Sequence, residues 1–244
     1  MQNAIYIDAP DDFSFRSTVY SHGWCELAPF ELDAENWRLK YVFRDAKGKA
    51  VPAVIYEEKD RIRIDISGSK TDAAGIDEDT RHLLRLDDDL SGLYDSIRGH
   101  DRLKWVGEKR AGRLLRSATV WEDLVKTICT TNCSWALTKS MVSNLVEKLG
   151  TSGGGNKAFP TAEAMASVND DFYREEIRAG YRSPYFVELA EAVAAGKLDP
   201  QSWLTSELST PELKKEMKKV KGVGDYAAES QRSTTFTPAR SNAR

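Results

Sequence analysis

Near the end of the chain stands Val220-Lys221-Gly222-Val223-Gly224-Asp225-Tyr226-Ala227-Ala228, with two glycines one residue apart between helical patterns. Glycine lets the backbone turn sharply, and a helix that starts at such a turn presents consecutive unpaired N–H groups. Amides of this kind, aided by the helix dipole, bind phosphate. The same glycines also suit a plain interhelical turn. Just ahead, Leu213–Gly224 carries Lys214, Lys215, Lys218, Lys219 and Lys221 against one acid, Glu216. On a chain of net charge −3 such a patch suits a polyanion docked at one place, with a solvated helix face as the alternative. Cys129 and Cys133 lie four apart, but only Cys25, His22, His82 and His100 are there to complete a donor set, so no metal is expected. No P-loop, dinucleotide fingerprint or hydrolase elbow is present.

These residues need elements to hold them. At 244 residues the chain is long enough for one large domain or two small ones with a real core. With 41% hydrophobic and 30% charged residues and no apolar run of membrane-spanning length, membrane, collagen and fully disordered classes are excluded. The first residues have no secretory pattern and three cysteines make no disulfide framework, so an intracellular, cytoplasmic location is expected. Charge is uneven: residues 1–100 balance at −7 and residues 101–244 at +4, which suggests two regions with different partners.

Apolar residues alternate at Trp37, Leu39, Tyr41 and Phe43, and again at Ile62, Ile64 and Ile66, predicting strands. With the turn-prone Asp45–Gly48 and Glu58–Asp60 between them, about 5–68 reads as an antiparallel meander. After Gly75 the spacing turns helical. Thr119 with Glu122 predicts a capping box, and a second helix runs from about Ser134 to Leu149. Gly150–Lys157 is expected to be a flexible loop. Pro160-Thr161, Ser183-Pro184 and Thr210-Pro211 each predict a helix start. The expected fold is α+β: an antiparallel β domain over 1–75, a helical domain over 76–230 and an irregular tail over 231–244.

LKKEMKKVKGVGDYAAE closely resembles the helix-hairpin-helix element of the DNA glycosylase superfamily named for that hairpin and for a later Gly/Pro-Asp segment. Two more segments match in order. Ile128-Cys129-Thr130-Thr131-Asn132-Cys133-Ser134 resembles the part where 8-oxoguanine and 3-methyladenine DNA glycosylases place the residue that fills the hole left by an extruded base, and Asn132 is the matching position. Gly180-Tyr181-Arg182-Ser183-Pro184-Tyr185 resembles the segment whose aromatic wedges into the stack and whose arginine bonds the orphaned partner base. The match spans about 113–229.

The resemblance implies double-stranded DNA with a damaged base as partner, bound by a monomer, and removal of a damaged purine by hydrolysis of its N-glycosidic bond. Extruding a nucleotide costs a few kcal/mol in stacking and pairing, and Tyr181, Asn132 and Arg182 are the types that offset it. Lys219, Lys221, Gly222, Val223 and Gly224 would hold the phosphates. The resemblance also implies a monovalent cation on carbonyls of the hairpin, and places Phe13, Phe15, Trp24 and Tyr226 towards the base pocket. Bifunctional members carry an amine where this chain has Tyr226, which points to the monofunctional branch. The essential aspartate is expected at about position 244, where Arg244 stands, and no Asp or Glu follows Glu229. The resemblance stops near Glu229, as though the later part had been lost or replaced, so impaired turnover is expected. A non-catalytic module that binds damaged DNA is the alternative.

Overall fold

The computed structural model describes residues 3–67 and 73–229. Strands β1 (Asn3–Asp8), β2 (Glu31–Asp33), β3 (Arg38–Arg44), β4 (Ala50–Glu58) and β5 (Arg61–Ile66) form one antiparallel sheet in the order β1-β5-β4-β3-β2. β2 to β5 follow one another as a meander. β1 does not join the near edge but pairs with β5 at the far one, with Ile5 opposite Ile64. Period-two alternation puts Leu39, Tyr41, Phe43, Ile62, Ile64 and Ile66 on the buried face. The turns obey local chemistry: Asp45 Oδ1 accepts the amides of Lys47 and Lys49, and Lys59 and Asp60 both take positive φ to close a two-residue hairpin. Trp37, which the alternation assigns to a strand, instead takes φ 53° in the turn before β3, where Arg16 covers its ring.

Helices make up most of the remainder. The short α1 (Phe15–Val19) precedes β2, and α2 (Ala73–Leu84), α3 (Ser91–Ile97) and α4 (Lys104–Glu108) follow the sheet. The central pair is α5 (Val120–Thr130) and α6 (Trp135–Leu149), begun by Thr119 and Ser134 hydroxyls that accept the Glu122 and Leu137 amides. Such caps are worth about 1 kcal/mol each. The expected box at Thr119 is only half formed, because the Glu122 carboxylate turns inward to Tyr41 and Lys126. Residues 150–157 are not a loose loop: β6 (Ser152–Gly153) and β7 (Asn156–Lys157) pair around Gly154 and Gly155, both at positive φ, and pack on Ala50.

Then come α7 (Ala162–Ala166), α8 (Asp170–Glu175), α9 (Ser183–Ala194) and α10 (Thr210–Met217). Ser183 is not the cap of α9, since the helix grows out of a 3-10 turn at Gly180–Arg182 and the Ser183 hydroxyl donates back to Gly180 O. α10 is capped by Ser209 in a box with Glu212, one residue ahead of the expected Thr210. Residues 225–229 are helical again.

Sheet and helices share one apolar cluster, from Ile7 and Phe15 through Ile55 and Val125 to Leu213 and Ala228. Polar links cross it: Trp24 Nε1 donates to Asp123 Oδ1 at 2.7 Å, and the Tyr41 hydroxyl to Glu122 Oε2 at 2.7 Å. Lys126, with 0% side-chain exposure, sits 2.6 Å from Glu122 Oε1 and 4.7 Å from the Phe30 ring centroid. Burying this pair is tolerable only because the partners meet at contact distance. Among the described residues no helix is long and apolar enough to cross a membrane.

Candidate nucleic-acid interface

The glycine turn joins α10 to the helical residues 225–229. Met217 and Val220 accept the amides of Val220 and Val223 at 3.2 and 3.0 Å, and the second helix begins with Ala228 N bonded to Gly224 O at 2.9 Å. Gly222 has φ +87°, and a Cβ there would lie 2.8 Å from Tyr185 Cδ2. Glycine is required at that position for both reasons. Gly224 lies outside the left-handed region, and a Cβ on it would meet nothing within 4 Å. Val223 is 4% exposed, its side chain in the core and its amide already used, so it anchors the turn and offers a ligand neither.

A cavity of about 720 Å³ opens beside this turn, and three distant segments line it. Thr130, Thr131 and Asn132 come from the end of α5, Tyr181 from the 3-10 turn before α9, Tyr185 from the first turn of α9, and Lys218 and Val220 to Ala227 from the glycine turn and its flanks. Asn132 has φ 47°, a conformation that asparagine tolerates at a helix end. Its Nδ2 lies 3.4 Å from the Tyr181 hydroxyl, at the long limit of a hydrogen bond. Tyr181 is 48% exposed and meets Tyr185 edge-on at 6.1 Å. Tyr185, which meets Tyr181 on one side and approaches Gly222 on the other, stands four after Tyr181, a spacing visible in the sequence.

Arg182 is the exception among the expected contacts. It is 3% exposed, and its guanidinium bonds the Ile128 and Thr131 carbonyls rather than facing outward to an orphaned base. The lysines are exposed but paired: Lys218 with Asp225 at 2.9 Å, Lys221 with Glu188 at 2.5 Å, and Lys219 with Glu216 at 2.6 Å. Lys218 and Lys221 line the cavity, whereas Lys219 turns back along α10. The Lys218 bond holds the Asp225 carboxyl below its usual range.

Of the residues expected near a base pocket, Tyr226 is 73% exposed at the cavity. Phe13, Phe15 and Trp24 are 2%, 1% and 3% exposed and belong to the core, because the sheet needs a lid over its apolar face. Burial raises the Cys129 thiol to about 12, an inert state. Among the described residues no group of three or more His, Cys, Asp or Glu stands together as a metal site. Position 244 and the tail from 230 lie outside the described residues.

No family model matches the chain. The N-glycosylase/DNA lyase of Saccharomyces cerevisiae is 25% identical over 127 residues, covering 47% of this chain and 32% of that protein, so the chain spans about a third of its length. Solved structures match more of it. MBOgg1 in complex with a low-affinity DNA ligand superposes with a TM-score of 0.73 at 20% identity, covering 96% of this chain and 79% of that one. The 3-methyladenine DNA-glycosylase from Archaeoglobus fulgidus gives 0.72 at 19% over 95% and 79%. The 8-oxoguanine glycosylase/lyase of Clostridium acetobutylicum, in its apo form, gives 0.73 at 18% over 96% and 79%.

The chain thus has the fold of these solved DNA glycosylases, with one antiparallel sheet built from its first part and helices from the rest. Within that fold it superposes equally well on 8-oxoguanine and on 3-methyladenine glycosylases.

Proposed function

We propose that this chain is the damage-locating body of a base-excision DNA glycosylase. It grips duplex DNA at the glycine turn, inserts Tyr181 and Asn132 into the stack and turns a damaged purine out of the helix. One observation carries this reading: phosphate-type amides and lysines, an exposed aromatic and a compact amide come from three separate segments and line one cavity. Phosphates would displace the acids now holding Lys218 and Lys221, which gives position without sequence information. Tyr181 then supplies a stacking surface worth about 1–3 kcal/mol. All three segments belong to one chain, so a monomer suffices.

The finer chemistry follows from residue types. Tyr226 stands where a lyase of this superfamily carries its amine, so the reaction we assign is hydrolysis without a covalent imine. No carboxylate follows Glu229, and Asp225 is engaged by Lys218 and Lys214. Among the described residues lining the cavity no acid stands free to support the sugar cation, and loss of such support costs about 10²–10³ in rate. A monovalent cation at the turn would rest on main-chain carbonyls, of which Val220 O keeps one lone pair beyond the Val223 amide.

Band-shift titrations test the binding reading, with intact duplex compared with the same duplex carrying an abasic site. Tyr181→Ala should lose at least fivefold more affinity for the abasic DNA. Equal losses on both would make Tyr181 a packing residue. Base release from DNA with 3-methyladenine, hypoxanthine or 8-oxoguanine should be slow or absent in this chain, and robust turnover would show that another acid serves.

A further inference from the structure

We infer that Arg182 is a positioning residue that sets both wedge groups and makes no contact with the partner base; the inference rests on the DNA reading above. Its Nε donates to Ile128 O and Thr131 Oγ1, each at 3.2 Å, its Nη2 to Thr131 O, and its Nη1 reaches Ala179 O at 3.5 Å. Ile128 and Thr131 stand at the end of α5, where the helix dipole favours a cation, and Ile128 O also accepts the Thr131 amide and hydroxyl. Arg182 is thus a cap supplied from about fifty positions further along the chain.

The consequence falls on the next residue. With the Thr131 carbonyl pinned, the backbone leaves the helix at ψ 129° and Asn132 takes φ 47°, which aims its amide towards the Tyr181 hydroxyl. The same guanidinium backs Tyr181, with Cζ 4.5 Å from the ring centroid, and the ring remains 48% exposed. One buried cation therefore fixes two wedge residues that the chain keeps far apart. A planar fork is needed for this, since lysine offers a single point of charge. To reach a base across the duplex Arg182, itself buried, would have to give up its bonds to the Ile128, Thr131 and Ala179 carbonyls.

The test uses the whole chain as wild type, Arg182→Lys and Arg182→Met. Fluorescence anisotropy gives dissociation constants for an intact duplex and for four duplexes with an abasic site opposite C, T, A or G. The positioning role requires both variants to lose about tenfold in preference for abasic over intact DNA, by the same factor for all four opposite bases. Binding to the intact duplex should change less than about twofold. A loss confined to one opposite base would overturn the inference and make Arg182 a base reader. Equal weakening on intact and abasic DNA would overturn it too, leaving a purely structural arginine. Should wild type itself bind all five duplexes alike, the DNA-wedge reading fails first and this inference with it.

Discussion

The two glycines of the turn should separate folding from binding, and alanine at each is the decisive perturbation. At Gly222 the alanine Cβ meets two obstacles: a φ of +87°, which costs an L-residue about 1–2 kcal/mol, and the Tyr185 ring at 2.8 Å. For a chain of this size 1 kcal/mol is about 2–4 °C, so Gly222→Ala should lower Tm by about 2–8 °C before any cost of moving the ring. At Gly224 the new methyl enters open space on a permissible backbone. Gly224→Ala should leave Tm unchanged or raise stability by about 0.4–1 kcal/mol, through the unfolded chain. Nothing inside the protein demands glycine there, and on the phosphate reading the missing Cβ leaves room for a molecule to approach the backbone. Anisotropy with a duplex probe should then show Gly224→Ala binding weaker at full stability. If Gly224→Ala melts like Gly222→Ala, or binds DNA as wild type does, the assignment of this turn to phosphate is wrong.

Replacing Lys218 and Lys221 with alanine should flatten the log–log dependence of DNA affinity on salt by about two, whereas Lys219→Ala changes it little; Asp225→Asn, which frees Lys218, should raise affinity. Lys126→Met strands the buried Glu122 charge and should cost about 3–5 kcal/mol in urea unfolding, much of it recovered in the Lys126→Met, Glu122→Gln double variant. His22 and His82 are both lowered by burial to about 4, so they stay neutral in the fold and charge on unfolding. Their contribution is complete above about 6.5 and is lost as pH falls towards 4, with the unfolded chain binding the extra protons. Asp79, raised by burial to about 6, acts in the opposite sense between about 4 and 6. Melting followed from pH 7 to 4 should fall, and His22→Gln with His82→Gln should flatten the fall; an unchanged slope refutes the buried-imidazole account.

Much of this was legible in the chain itself. Alternation at Leu39, Tyr41 and Phe43 and at Ile62, Ile64 and Ile66 marks strands, because period two is a property of the extended backbone alone. The glycine turn, the Asn132 helix end and the Gly180–Arg182 turn are likewise local: positive φ, caps and helical spacing act over four residues or fewer. What lies between segments was decided by packing. The pairing of β1 with β5 rather than β2 depends on which edge of the sheet is free. Phe13, Phe15 and Trp24 are aromatic in sequence whether they face a base or a core, and only the apolar face of the sheet determines which. Arg182 reads as a fork for an outside acceptor until the end of α5 is folded against it, where the Ile128 and Thr131 carbonyls claim it first. The lysines read as a bare positive patch until Glu188 and Asp225 are brought alongside by the fold. Residue type determines what a side chain can bond; the tertiary structure decides which partner is within reach, because hydrogen bonds and ion pairs act only at contact distance.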